Sequence, residues 1–284
     1  MKLKLFLKLI RINHWIKNLF IFIPIFFSSE LFIGNKFIYT FYSAIAFSFI
    51  SVFVYIINDI FDINFDRTHK EKKNRPIASG YISIKFAFII GLIFFILGSC
   101  LIFSISIKAF LLSLGYFILN FFYSLKLKSV AILDLIIVSI GFVIRVYIGS
   151  VVGEILVSNW IFIMVFLLSL FLAICKRRDD VYLYEKKNEI NREVVFEYSL
   201  QFMDKIITIV SSVLIVSYLL FITSYENDPR FEPNYLFLTF VLVILGIFRY
   251  NQITYVFKRG GSPIKTLLSD LFLQIVLFFW FILF

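Results

Sequence analysis

The chain alternates long apolar runs with short polar clusters. A helix needs about 20 apolar residues to cross roughly 30 Å of hydrocarbon. Nine runs meet or approach that length: 19–33, 37–57, 86–104, 109–124, 130–152, 159–175, 206–224, 235–249 and 266–284. Being continuous rather than alternating, they predict helices and exclude the strands of a membrane barrel. The first is the least regular, because Pro24 and the Ser28-Ser29 pair interrupt it. Residues 1–18 alternate apolar and basic positions, as a helix lying in the membrane interface does. The pattern predicts an all-α membrane protein, one polytopic domain over 1–284 with nine transmembrane helices and an interfacial N-terminal segment.

Composition closes the other options. Of 284 residues 61% are hydrophobic and 16% charged, whereas soluble domains carry roughly 25% charged residues. The polar side chains are too few for a soluble skin, and disorder is excluded by the same numbers. Net charge is +10, which in a soluble protein would suggest nucleic acid. Here the positive-inside rule accounts for it, and no nucleic-acid partner is expected. On a nine-span map Lys36, Lys108 and Arg230 fall on one side and Arg145 within a span, leaving 24 of the 28 basic residues on the other. That side is read as cytoplasmic in a bacterial-type inner membrane, with the N-terminus inside and Phe284 outside. Cys100 and Cys175 fall near opposite faces, so no disulfide is expected. The first twenty residues lack a small-residue cleavage site and read as no removable signal peptide.

Outer connections are short, while the cytoplasmic stretches 58–85, 176–205 and 250–265 are long and charged. Loops carrying both acids and bases are where a site for a soluble, anionic substrate would be built. The first holds Asn58, Asp59, Asp62 and Asp66. At about 100° per residue these lie near 0°, 100°, 40° and 80°, one arc along about 12 Å of helix. Three acids on one face repel one another unless a cation lies between them. All-oxygen ligands suit Mg²⁺, so Asn58, Asp59, Asp62 and Asp66 are the expected metal ligands. The plainer reading is a solvated helix end whose acids pair with Arg67, Lys70, Lys72, Lys73 and Arg75. Against it stands the spacing, since a solvated face has no need of acids at i, i+4 and i+8. Pro76 and Gly80 then turn the basic residues back beside the acids. A metal face beside a basic loop is what a diphosphate substrate requires.

The sequence Asn-Asp-x-x-Asp-x-x-x-Asp over 58–66, after the second of nine expected spans, resembles the first motif of the UbiA-type intramembrane prenyltransferases. The longer pattern Asp66-Arg67, His69, Lys72 and Arg75-Pro76 resembles one branch of that family, the decaprenyl-phosphate phosphoribosyltransferases. Lys70 stands where that branch usually has Pro. Further similar stretches are Trp15-Ile16-Lys17-Asn18, Tyr123-Ser124, Gly141 to Arg145, Lys176-Arg177, Arg249-Tyr250, Gly260 to Pro263, and Asp270. The resemblance implies a UbiA-like bundle with a cytoplasmic cap, Mg²⁺ as cofactor, and phosphoribosyl diphosphate and a polyprenyl phosphate as substrates. Many UbiA relatives carry a second Asp-x-x-x-Asp after the sixth span. Here Asp179 and Asp180 are adjacent, preceded by three bases. That departure disfavours a two-cluster prenyl-diphosphate site and suits a donor with an extra phosphate.

Asp134 and Arg145, eleven residues apart in the fifth span, share nearly one face. Asp134 is near enough to the cytoplasmic end to join Asp59, Asp62 and Asp66 as a catalytic acid. Arg145 is read either as support for the polar cavity or as a structural pair. Lys17, Asn18, Arg67, His69, Lys72, Arg75, Tyr123, Lys126, Arg145, Lys176, Arg177 and Asp180 are the expected substrate-binding residues. The expected reaction moves a 5-phosphoribosyl group onto the lipid phosphate and releases diphosphate, for cell-envelope glycan synthesis. The first alternative is transfer of a polyprenyl group from its diphosphate to an aromatic or haem-like acceptor. The second is a lipid-binding or transport protein without chemistry, although transporters place their charges at the midplane rather than massed at one edge. The sequence leaves room for an oligomer.

Overall fold

A computed structural model describes residues 3–28, 33–69, 72–187, 189–190, 192–224, 233–258 and 260–283, which contain helices and no strand. Lys70, Arg230, Phe284 and residues 29–32 of the first expected span lie outside them. The chain forms two compact units, Met1–Val157 and Ser158–Phe284.

The first unit holds α1 (Leu3–Leu9), a 3-10 helix (Ile12–Phe22), α2 (Ile23–Phe27), α3 (Lys36–Phe61), α4 (Ile63–Thr68), α5 (Ile84–Ile105), α6 (Ile107–Leu125) and α7 (Leu133–Gly153). Helix α3 is its axis. Its inward residues Thr40, Ser43, Ala46, Ser48 and Ser51 are small and buried, so neighbouring backbones come close. Helix α5 meets α3 through Gly91 and Gly98. A Cβ at Gly98 would lie 2.5 Å from the Ala46 carbonyl oxygen, and one at Gly91 2.7 Å from Phe53 Cδ2. Ser83 and Ser106 cap α5 and α6, their hydroxyls accepting from the amides of Phe86 and Ala109. Ile21, Phe47, Ile50, Tyr116 and Ile148 pack into one core cluster. Ile89, Ile93 and Leu97 recur every fourth residue on α5 and remain exposed; such a face suits hydrocarbon rather than water.

The N-terminal expectation needs revision. In place of one interfacial helix over 1–18, the chain breaks at Arg11, whose backbone is left-handed at φ +49°. The expected span 19–33 is 3-10 helix up to Phe22. Pro24 then falls in the first turn of α2, where its missing N–H costs nothing, and α2 ends at Phe27. The two pieces, Leu3–Leu9 and Ile12–Phe27, meet at a 47° bend.

The second unit holds α8 (Asn159–Lys187), a short 3-10 turn (Glu193–Glu197), α9 (Leu200–Ser224), α10 (Pro233–Tyr255), α11 (Pro263–Ser269) and α12 (Leu271–Leu283). Buried Tyr218 and Thr239 join the half-buried Trp280. The indole N–H donates to the Tyr218 hydroxyl, and that hydroxyl donates to Thr239, both at 2.8 Å. Residues 176–187, expected as loop, continue α8 as helix. The expected span 266–284 is two helices bent by 88°. Asp270 makes the break, its carboxylate accepting from the Leu273 amide to start α12.

Among the described residues, seven helices are long and apolar enough to cross a membrane, or up to nine if each bent pair is one span.

Candidate functional site

Helix α3 carries its regular hydrogen bonding through the end of the apolar run. The Asp62 amide still reaches the Asn58 carbonyl at 2.9 Å, and the Asp66 amide the Asp62 carbonyl at 2.8 Å. The chain pauses at Asp62 between α3 and α4, yet the i, i+4 relation of Asn58, Asp62 and Asp66 survives. Asn58 Nδ2 donates to Asp62 Oδ2 at 3.0 Å, and the Ser124 hydroxyl at the end of α6 donates to Asn58 Oδ1. Asp59 and Asp66 are buried. Burying charges of one sign demands compensation, and three basic residues from three other segments supply it.

Arg75, in the loop after α4, lies between two acids. Its Nη1 donates to Asp59 Oδ1 at 2.9 Å and to Asp66 Oδ2 at 2.5 Å. Arg11 pairs with the same oxygen of Asp59 and lies over the Tyr55 ring, 5.1 Å from its centroid. Lys128, in the turn before α7, pairs with Asp62. Burial pushes the Asp66 carboxyl above its ordinary pKa and nearby Asp59 adds to the rise, while Arg75 pulls it down. Its second oxygen, Oδ1, is buried without a hydrogen-bond partner.

The other expected residues divide into those beside this cluster and those elsewhere. His69 and Lys72 lie on the same loop. The Lys72 amide donates to His69 Nδ1 at 3.3 Å, and its ammonium sits 5.2 Å from the centre of the Phe65 ring. Arg67 and Lys126 are exposed, Lys17 is half-buried, and Tyr123 is buried. Asp134 is fully buried in α7. Asn18 and Arg145 engage each other. Arg145 donates from Nε to Asn18 Oδ1 at 2.9 Å, from Nη1 to the Gly141 carbonyl at 2.5 Å, and from Nη2 to the Tyr116 hydroxyl at 3.1 Å. The guanidinium is also within 5.3 Å of the ring centres of Phe47, Tyr116 and Phe142. Neutral acceptors and π faces thus hold a buried cation. In the second unit Lys176 is exposed, and Arg177 pairs with Asp180 at 2.7 Å. There Arg178 also binds Asp204, at 2.6 Å, and Arg249 binds Asp270.

Sequence reasoning missed Arg11 and Lys128. Lys128 carried a weak signal as a base two residues beyond Lys126; Arg11 looked like one more charge in an amphipathic segment.

Among the described residues, no three of His, Cys, Asp and Glu converge as a ready ligand set. The donors nevertheless suit a divalent cation. Asn58, Asp59, Asp62 and Asp66 offer only hard oxygens, one of them the buried, unpartnered Asp66 Oδ1. Arg75 already bridges two of these acids as a cation would.

Comparison with known proteins agrees with this architecture. The model of the UbiA prenyltransferase family matches residues 19–280. The chain is 25% identical over 278 residues to the decaprenyl-phosphate phosphoribosyltransferase of Corynebacterium glutamicum, covering 96% of this chain and 83% of that protein. It is 32% identical over 168 residues to the uncharacterized protein y4nM of Sinorhizobium fredii, 59% of this chain but only 33% of that protein. The fold matches a UbiA homolog from Archaeoglobus fulgidus, solved bound to GPP and Mg²⁺, with a TM-score of 0.74 at 21% identity over 98% of this chain and 99% of that one. Apolar helices, an acidic helix end compensated by bases and a family match over nearly the whole length agree: the chain is a multi-pass membrane enzyme belonging to the UbiA prenyltransferase family.

Proposed function

We propose that this enzyme transfers a 5-phosphoribosyl group from phosphoribosyl diphosphate to a polyprenyl phosphate. The observation that carries the reading is the acid cluster of α3 and α4 held by Arg11, Arg75 and Lys128. Such a site can pass its acids to a metal while its own bases turn to the phosphates that arrive with it. The near full-length similarity to a decaprenyl-phosphate phosphoribosyltransferase supports the choice of donor and acceptor.

Asn58, Asp59, Asp62 and Asp66 would hold Mg²⁺. Bound there, it supplies positive charge against the departing diphosphate. Arg75, Lys72 and Lys128 bind the donor's phosphate oxygens and stabilise the charge that grows on them. The bond from the ribosyl C1 to the diphosphate oxygen breaks, and a bond from C1 to an oxygen of the lipid phosphate forms. The acceptor is already an anion, so no strong general base is needed. Nine spans, with the N-terminus and the acid cluster cytoplasmic and the C-terminus outside, complete the reading. The charge asymmetry of the loops supports that orientation.

A second reading keeps the site and changes the donor to a polyprenyl diphosphate with an aromatic or haem-like acceptor. The A. fulgidus homolog bound to GPP and Mg²⁺ favours it. Purified enzyme incubated with Mg²⁺, polyprenyl phosphate and labelled phosphoribosyl diphosphate separates the two. The proposal expects label in the organic phase, abolished by a chelator, with one diphosphate released per lipid. Label that stays aqueous while a prenyl diphosphate is consumed beside an aromatic acid would establish the second reading instead.

A further inference from the structure

We infer that Arg11 is a binding residue for the phosphate of the lipid acceptor, held on Asp59 until a divalent cation takes that carboxylate. This rests on the reaction proposed above.

Asp59 Oδ1 carries two guanidinium groups, from Arg11 and from Arg75. Arg75 has a second acid in Asp66. For Arg11, Asp59 is the acidic partner found among the described residues. Once Asp59 ligates a metal, Arg11 keeps its place but loses most of its counter-charge. Its side chain is only 15% exposed, so little solvent is there to replace the lost counter-charge and an arriving anion is favoured. It is also kept from turning away. Its backbone sits in the left-handed region at φ +49°, ψ +49°, rare for a residue with a side chain, and its guanidinium is stacked over Tyr55. Arg11 is thus a preset cation that becomes available when the acid cluster is filled.

The class of anion follows from the residues that flank Arg11 in the chain. Ile12, Ile16 and Leu19 on the same 3-10 segment are exposed at 39%, 42% and 58%, as are Leu3 and Leu7 on α1. In a membrane enzyme, exposed apolar residues of that kind lie against lipid. The anion that a segment of this kind meets at the membrane surface is a lipid headgroup. Arg75, by contrast, stands on the polar loop that follows α4, among Lys72, Lys73 and Arg67. The geometry therefore assigns Arg11 to the lipid monophosphate and Arg75 to the soluble donor.

The test uses full-length enzyme in nanodiscs, with polyprenyl phosphate binding measured with and without Mg²⁺ in the absence of donor, together with steady-state kinetics. In wild type, Mg²⁺ should tighten lipid-phosphate binding, because it frees Arg11. Arg11→Gln should erase that increment and raise KM for the lipid by about tenfold or more, the loss of one charge-assisted hydrogen bond. KM for phosphoribosyl diphosphate should stay within about twofold, and Arg11→Lys should recover part of the loss. Should Arg11→Gln fold poorly, Arg11→Lys carries the test through the same split between the two KM values. Lipid binding that is indifferent to Mg²⁺ in wild type, or an Arg11 variant that raises the donor KM instead, overturns the assignment. Wild type that binds no polyprenyl phosphate under any condition would overturn the proposed reaction itself.

Discussion

Replacing Arg145 with Met keeps length and apolar bulk while removing the charge and all its donors. The side chain makes three hydrogen bonds, to Asn18, Gly141 and Tyr116, and lies against three aromatic rings. A buried acceptor left without its donor costs about 1–3 kcal/mol, so two of them cost on the order of 2–6 kcal/mol. The stranded acceptors are Asn18 Oδ1 and the Tyr116 hydroxyl; the Gly141 carbonyl keeps its helical bond within α7, and no carboxylate is left behind. For a unit of this length 1 kcal/mol moves the melting point by roughly 2–4 °C, so a fall of about 4–24 °C is expected. The assay is thermal unfolding in detergent followed by size-exclusion of the surviving fraction, with kinetics on the molecules that remain folded. Those molecules should show KM values for both substrates near wild type, since the guanidinium is satisfied within the bundle. An Arg145→Met enzyme with unchanged melting and a raised KM for the donor would refute the structural role and restore the substrate-binding expectation.

Three further outcomes are expected. Lys128→Ala should raise the Mg²⁺ concentration for half-maximal activity or the donor KM by about tenfold, while Lys126→Ala stays near wild type; titration of both variants in parallel decides, and equal effects would count against the Lys128–Asp62 pair. Asp62→Asn should abolish turnover with membrane insertion intact, because it keeps volume but removes charge from the middle of the ligand arc; wild-type activity at limiting Mg²⁺ would return the acids to a plain solvated helix end. A topology reporter after Lys187 should read cytoplasmic and one after Phe284 extracytoplasmic, whereas both on one side would contradict nine crossings.

What the sequence shows well is whatever depends on one element at a time. Length and apolarity locate α3, expected over 37–57 and found as Lys36–Phe61, and helical spacing puts Asn58, Asp62 and Asp66 on one arc whatever surrounds them. Hydropathy stops at the first polar residue, but a helix does not. Residues 176–187 therefore looked like loop although α8 runs on through them. The break at Asp270 was readable in principle, since an acid just before an apolar run is an N-cap signature. The counter-ions were not readable. Whether Lys126 or Lys128 reaches Asp62 depends on how the turn after α6 comes around, and Lys126 ends that helix with φ −147° and ψ −34°. Arg11 reaches Asp59 only through a left-handed residue that no periodicity predicts. The partners of Arg145 were unreadable for a similar reason. A single helix fixes the direction of a side chain but not which neighbouring helix supplies its partner, and for Arg145 that includes the 3-10 segment through Asn18.

The cations at the acid cluster come from three separate places in the chain: the N-terminal junction, the loop after α4 and the turn before α7. Each ion pair therefore ties a different segment to the end of α3. A buried pair adds little net stability when an apolar pair could replace it, so its retention here calls for another reason, and exchange supplies one. Were the acids unpaired, their mutual repulsion would splay α3 and α4 in the free enzyme. Were they paired irreversibly, no cation could enter. Single-point contacts such as that of Lys128 with Asp62 hold the fold, yet each can be given up when a phosphate offers the base a better partner and a metal offers the acid one. On the proposed function, every charge has a partner before and after loading, and the residues that keep the free site together are those that grip the substrates.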